Sequence, residues 1–253
     1  GYLPGNTSMR VEGGTGQLVR ALAGLLPQEH MHLNAELKAV HLEEQGLRLV
    51  FAGTLGQLPL YSHVWLALPP RLTASIQFSP SLPEQNVQAL MAVPTWMAAH
   101  AKYVARYATP FWREAGLSGD AFSRIGPLAE IHDACNEQGA ALFGFFGVNA
   151  AQRAGLSALE LKAACRVQLV RLFGEQAAEP IDDSVYDWAA DPYTATAQDR
   201  ISSGEHGSLD SRFTFAPPWT GRVQLIGSEA AVEQGGYMEG ALSAVERVLA
   251  GLK

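Results

Sequence analysis

The last part of the chain combines glycines, an acidic residue and a helix start in an order that could bind a ligand. A short apolar strand ends at Gly227, the next loop carries Glu229, Gly235 and Gly236, and a helix begins near Tyr237. Free amide N–H groups and the positive end of a helix dipole attract electron-rich groups. A carboxylate repels phosphate but accepts hydrogen bonds from hydroxyls, so Glu229 favours a sugar-like group. By spacing alone, an ordinary strand–loop–helix turn is the more frequent explanation.

Other patterns that could do chemistry are weaker. His30 and His32 could chelate a metal from one strand, but such a pair is more often two surface histidines. Ser118 lies in Gly-Leu-Ser-Gly, which lacks the G-x-S-x-G pattern of a nucleophile elbow. Cys135 and Cys165 match no metal spacing and are expected to be thiols. We therefore predict neither a metal site nor a hydrolase site.

Composition places the chain among globular proteins. It has 253 residues, 47% of them hydrophobic, and a net charge of −7 that is spread along the chain. That length can bury one large core or two modest ones. Without a basic stripe, a nucleic acid is not expected as a partner. Without a long apolar run or a signal peptide, no membrane association is expected, and a cytoplasmic location is predicted.

Helical spacing and turn residues define the elements that must position these residues. Apolar residues at helical spacing predict an amphipathic helix over 17–26 that Pro27 closes. The segment 31–53, with a turn at 44–46, and the strand at 62–69 predict a β-meander. A helix is expected over 83–93.

The middle of the chain predicts a sheet with flanking helices. Strands are expected near 98–108, 121–125, 128–134, 140–147 and 182–188. Ser157 and Glu160 form a capping box that opens a helix reaching Gly174. A long loop over 190–221 precedes the final strand. The fold class is therefore α/β, or mixed α+β, with a mixed sheet.

Several ordered motifs resemble those of the flavin-containing amine oxidases, the monoamine oxidase family. The segment GSEAAVEQGGYMEGALSAVER is similar to the family's C-terminal flavin-binding signature. Further similarities, in chain order, are VEGGTGQLVRALAGLL, HVWLALPP, TPFWREAGLSG and WAADPYT. The resemblance implies an FAD-dependent oxidase that transfers hydride from the carbon bearing an amine to flavin N5, and O2 would reoxidise the flavin.

The resemblance also implies roles for single residues. Counted back from Pro-Phe-Trp, Lys102 matches the lysine that holds a water next to flavin N5. Tyr237 matches one wall of an aromatic cage for the amine, and Trp188 matches a tryptophan close to the ring system. The expected cofactor-binding residues are Leu37, whose backbone would contact adenine, Gly227, Ser228, Glu229, Gly236, Tyr237, and Met238, whose amide would lie near flavin N1 and O2.

Two positions depart from the pattern of the eukaryotic monoamine oxidases. Gln198 stands where those enzymes supply the second tyrosine of the cage. The resemblance therefore does not define which class of amine would face Gln198. Ala197 stands where they have the cysteine that bonds the flavin. Any FAD is therefore expected to be non-covalent.

The G-x-G-x-x-G turn that grips the pyrophosphate of FAD does not occur in the sequence. The chain thus resembles the C-terminal portion of an amine oxidase without its N-terminal βαβ unit. Residues 1–70 and 215–253 are assigned to the cofactor side, and 71–214 to a substrate-binding domain. A missing N-terminal half, a partner subunit or a second copy is expected to cover the exposed face. Two alternatives stay open: a non-catalytic binding or assembly module, and an amino-acid oxidase of the same superfamily.

Overall fold

The computed structural model describes residues 11–53, 58–201, 204 and 206–251. The first ten residues and the last two, which the sequence assigns to the cofactor side, lie outside the described residues. The strands are β1 Leu37–Glu43, β2 Gly46–Phe51, β3 Val64–Leu66, β4 Gln77–Ser79, β5 Ala101–Tyr107, β6 Ala121–Phe122, β7 Leu128–Asp133, β8 Ala140–Phe146, β9 Asp182–Asp187 and β10 Val223–Leu225. The helices are α1 Gly16–Ala23, α2 Pro70–Ala74, α3 Glu84–Met91, α4 Phe111–Glu114, α5 Ala150–Ala154, α6 Ala158–Phe173 and α7 Met238–Ala250.

The largest sheet has five strands in the order β6-β7-β8-β5-β9, and every neighbouring pair is antiparallel. Alternate residues of β5 are buried, as an antiparallel strand with one covered face requires. Tyr103, Leu142 and Ile131 from that face form one core with the buried side of α6. The opposite face, which carries Lys102, stays open.

Helix α6 covers the sheet because its apolar residues recur every four positions. Leu161, Cys165, Leu169 and Phe173 are all buried. Ser157 accepts from the Glu160 amide, and Glu160 accepts from the Ser157 amide, so the predicted capping box is confirmed. Both local features were visible in the sequence because they depend on near neighbours only.

A second core joins the two ends of the chain. The predicted hairpin of β1 and β2 is confirmed, and its turn lies directly before Gly46. Strand β4 pairs with β1 in parallel. The hydrophobic members of this core are Val40, Leu47, Val64, Leu66, Ile76, Phe78, Leu90, Val93, Leu209, Phe215, Trp219, Val223 and Leu225. Mixed helices and sheets agree with the predicted fold class.

The predicted meander is wrong at its third strand. Strand β3 does not continue from β2; it pairs in parallel with β10, with Val64 opposite Val223. Val64 and Leu66 are buried and Trp65 is exposed, so the apolar run indicates one covered face but not the strand that pairs with it. Within the described ranges, each of these two strands pairs along one edge only.

Helix α1 confirms the predicted amphipathic helix, although it ends at Ala23, before Pro27. None of its residues is buried, and Leu18, Val19 and Leu22 are exposed. Of the helices in the described part of the chain, none is both long and apolar enough to cross a membrane.

Candidate active site

Lys102 lies on the open face of the five-stranded sheet, among aromatic rings. Its register partners are Phe145 on β8 and Tyr186 on β9. The Nζ atom is 4.7 Å from the centre of the Phe145 ring, 5.5 Å from that of Trp188 and 5.9 Å from that of Phe143. Rings at these distances attract a cation by their quadrupoles. The ammonium is thereby held against a cluster of aromatic rings.

Trp188 reaches this cluster because β9 ends in a turn of 3-10 helix, Trp188–Ala190. The Asp187 side chain caps that turn by accepting from the Ala189 amide at 3.0 Å. The Trp188 amide donates to the carbonyl of His100 at 3.2 Å. The end of β9 is thus fastened to the segment that enters β5, so the sequence-predicted residues Lys102 and Trp188 are brought together.

His100 precedes Lys102 by two residues, at the entrance of the same strand. Burial lowers the pKa of its imidazole, and the nearby charges of Arg153 and Lys102 lower it further. The lowered pKa favours the neutral imidazole.

The loop after β10 holds a buried carboxylate. Gly227 precedes the 3-10 turn Ser228–Ala230, and Glu229 in that turn is only 8% exposed. Its Oε2 accepts from the Ser228 hydroxyl at 3.0 Å. In the described part of the chain, no cation lies within ion-pair distance of it. A Cβ on residue 227 would come within 3.3 Å of the Leu68 carbonyl oxygen, so glycine allows this close approach.

Tyr237 forms the outer layer of a three-ring stack. Its ring lies 4.8 Å from that of His206 at 19°, and the His206 ring lies 3.8 Å from that of Trp96 at 25°. The Tyr237 hydroxyl is 3.3 Å from His206 Nε2. Tyr237 itself is 56% exposed, so its outer face is free to meet a ligand. Gly236, with φ of +81°, leads the chain past this stack.

Helix α7 begins directly after the stack, with Met238 as its first residue. The Tyr237 side chain does not cap the helix. The N-terminus of α7, which carries partial positive charge, therefore has no side-chain cap from this residue.

Two further sequence-predicted residues lie on other segments. Gln198 is exposed on the 3-10 turn Ala197–Arg200, which the buried Asp199 anchors through Arg71 at 2.6 Å. Leu37 begins β1 and lines a cavity of about 500 Å3 together with Leu68. The sequence did not indicate His206 or Trp96, because their stacking on Tyr237 joins segments that are far apart along the chain. Across the described ranges, no three residues among His, Cys, Asp and Glu are placed to hold a metal ion.

Comparison with known proteins specifies the family of a chain that combines this lysine, these aromatic rings and this C-terminal loop. A sequence model described as flavin containing amine oxidoreductase matches residues 3–248. The chain belongs to this family.

Known members resemble the chain over nearly its full length. It is 28% identical to a probable flavin-containing monoamine oxidase A of Dictyostelium discoideum, with 94% of this chain and 52% of that protein aligned. It is 27% identical to the flavin-containing amine oxidase B of Sus scrofa, with 96% and 46% aligned. The chain thus spans about half the length of the curated relatives it matches.

Solved structures give the same relationship. A putrescine oxidase bound to putrescine superposes with a TM-score of 0.75 at 28% identity, over 95% of this chain and 53% of that one. A cyclohexylamine oxidase from Brevibacterium oxydans superposes with a TM-score of 0.74 at 26% identity, over 94% and 52%.

Proposed function

We propose that this chain forms the substrate face and the ring end of the flavin site in an FAD-dependent amine oxidase. The observation that carries the proposal is the ammonium of Lys102 held against the rings of Phe145 and Trp188 in a member of this family. When bound, FAD supplies a two-electron acceptor for hydride from the carbon bearing the amine, and O2 reoxidises it. The imine product hydrolyses in water.

Three features of the C-terminal segment fit such a cofactor. The Glu229 carboxylate is buried with a single neighbouring hydroxyl, so it can accept from the hydroxyls of a ribityl or ribose group. The amide of Met238 begins α7 and suits the electron-rich pyrimidine edge of a flavin. Gly227 and Gly236 allow the backbone to pass close to Leu68 and His206. Gly227 and Ser228 are proposed to pass the ribityl and pyrophosphate part of FAD, and Leu37 is proposed to meet adenine through its backbone.

Binding of FAD is proposed to be non-covalent, because Ala197 has no group that could bond it. Lys102 would hold a water beside the flavin and favour the reaction of the reduced ring with O2. Tyr237, Trp188 and Gln198 are proposed to face the amine. Tyr237 offers a large flat surface with a polar end, and Trp188 extends the aromatic cluster.

A complementary N-terminal half is proposed to complete the site. The matched relatives are about twice as long, and α1 exposes Leu18, Val19 and Leu22. A parallel pair such as β3 and β10 is normally part of a larger covered sheet, so its open edges suit further parallel strands. The division at residues 70 and 215 into a cofactor side and a substrate domain stays a prediction, as does the cytoplasmic location.

The visible spectrum of the purified chain, alone and with FAD added, tests the proposal. Flavin absorption that stays with the protein through gel filtration is expected, either for the chain alone or once the N-terminal half is supplied. A complex that contains both halves and binds FAD should bleach anaerobically with an amine and recover its colour with air. A protein that stays colourless in every combination would overturn the proposal and favour a non-catalytic binding module. Bleaching by amino acids instead of amines would favour an amino-acid oxidase.

A further inference from the structure

Arg153 on α5 is a buried cation in a molecule whose other arginines mostly lie at the surface. Its side chain is 2% exposed. It forms a two-pronged ion pair with Asp187, through Nε at 2.7 Å and Nη2 at 2.8 Å. Nη2 also donates to the carbonyl of Ala99 at 2.8 Å, and Nη1 donates to that of Val148 at 2.7 Å. The planar guanidinium thus bonds to three separate segments of the chain.

Each of those three segments carries one member of the Lys102 cluster. Ala99 leads into β5, which carries Lys102 three residues later. Asp187 ends β9 and is followed at once by Trp188. Val148 follows β8, whose residue Phe145 is nearest to the ammonium.

The position of Arg153 is itself fixed by the start of α5. Asn149 opens α5 with a capping box in which its side chain accepts from the Gln152 amide and its own amide donates to Gln152 Oε1. The helix is therefore held to the end of β8, and the Arg153 side chain reaches across the ends of the strands. Within the described residues, its hydrogen bonds go to Asp187, Ala99 and Val148 and none goes to the loop after β10.

We propose that Arg153 is a positioning residue that sets the place of the Lys102 ammonium between Trp188 and Phe145. The rigid guanidinium of Arg153 fixes the ends of three strands relative to one another. This arrangement sets the distances from the Lys102 ammonium to the rings of Trp188 and Phe145. The part of the inference that concerns oxygen chemistry rests on the proposed function of Lys102. The part that concerns the position of the ammonium does not.

The position can be measured without any flavin, because the chain has only four lysines, at 38, 102, 162 and 253. Reductive methylation with 13C-formaldehyde labels them for NMR while keeping the positive charge. Ring currents should move the dimethylamino signal of Lys102 upfield, and its loss in Lys102→Arg assigns it. In Arg153→Met the signal should move toward the position of an exposed lysine. Arg153→Lys keeps the positive charge but loses the planar guanidinium, so it should shift the Lys102 signal nearly as far.

Arg166→Met is the matched control. Arg166 also makes a two-pronged pair with an aspartate of β9, Asp183, but it makes none of the bonds to Asp187, Ala99 and Val148 through which Arg153 joins the strand ends. It should leave the Lys102 signal in place. If Arg153→Met does not fold, Asp187→Asn is tested instead. It removes the negative charge of the carboxylate that pairs with Arg153 but keeps one oxygen acceptor. An unmoved Lys102 signal in a folded Arg153→Met or Asp187→Asn protein would overturn the proposal.

A second readout separates this inference from the proposed function. In the flavin-loaded protein with both halves, Arg153→Met should slow reoxidation by O2 about tenfold while the KM for the amine changes little. The effect should vanish in a Lys102→Met background, as expected when one residue acts through another. A shifted lysine signal in a protein without oxidase activity would leave the positioning role standing and overturn the oxidase assignment.

Discussion

The ammonium of Lys102 on β5 lies 5.5 Å from the centre of the ring of Trp188, which begins the 3-10 turn directly after the neighbouring strand β9. Lys102→Met should remove the cation and keep the stem. In the flavin-loaded protein, reoxidation by O2 should fall about 100-fold, which is typical of losing one preorganised polar group. Stopped-flow absorbance measures this rate. Lys38→Met, at an exposed site on β1, serves as the control, and equal rates in the two variants would contradict the role of Lys102.

Glu229→Gln tests the buried carboxylate of the loop after β10. An amide accepts a weaker hydrogen bond than a carboxylate, so FAD should bind about tenfold more weakly. Fluorescence titration with FAD measures the affinity. Glu233 is an exposed residue of the same loop, and Glu233→Gln should bind FAD as tightly as the parent protein does. An unchanged Kd for Glu229→Gln would mean that the carboxylate meets no hydroxyl of the cofactor.

Gly236→Ala tests the turn beside the aromatic stack. The residue has φ of +81°, and a Cβ there would come within 2.8 Å of His206 Nδ1. The variant should lose roughly 1–3 kcal/mol in the free energy of unfolding and should disturb the Tyr237 ring. Gly116→Ala shares the positive φ of +75° but has no atom within 4 Å of its Cβ, so it should cost only about 1 kcal/mol. Equal losses would show that the stack imposes no constraint.

Acid should weaken the link between α6 and the sheet. The Arg166 hydrogen bonds lower the pKa of Asp183 to about 2, although burial acts in the opposite direction. The pKa in the unfolded chain is about 3.9, so this carboxylate stabilises the fold fully above that value. Its contribution is lost as the pH falls toward 2. Denaturant unfolding between pH 5 and pH 2.5 measures the change.

Asp183→Asn should remove that part of the pH dependence. Asp182→Asn, at an exposed neighbour on the same strand, should keep it. If both variants lost stability with acid as steeply as the parent, the pair of Asp183 and Arg166 would not be the cause.

The exposed side of α1 should matter for association and not for the stability of this chain. Leu22→Ser should change its free energy of unfolding by less than about 0.5 kcal/mol, because the side chain is exposed. It should weaken copurification with a separately expressed N-terminal half. Val167→Ser, at an exposed apolar residue of α6, should not. Equal association of both variants would place the docking surface elsewhere.

Features that depend on near neighbours could be predicted from the sequence. The capping box of Ser157 and the hairpin before Gly46 are local, and both are present. The partner of β3 could not be predicted, because apolar residues at 64–66 specify burial but not which distant strand covers them. Conversely, the resemblance placed Lys102 and Trp188 in one site without showing how they meet.

The aromatic stack illustrates the same limit. Trp96, His206 and Tyr237 lie on three segments that share no pattern, and only the folded backbone brings their rings parallel. The role of Arg153 was equally hidden, since its partners Ala99 and Val148 act through main-chain carbonyls that any residue provides.

The pairing of Val64 with Val223 also determines when the site can form during biosynthesis. A ribosome must have made the chain as far as residue 225 before β3 finds its neighbour, and contacts between such distant positions form slowly. The antiparallel sheet with Lys102 needs residues only up to 187, so it can fold earlier. The parallel pair can therefore form only after β10 has been translated, and β3 lacks its partner strand until then.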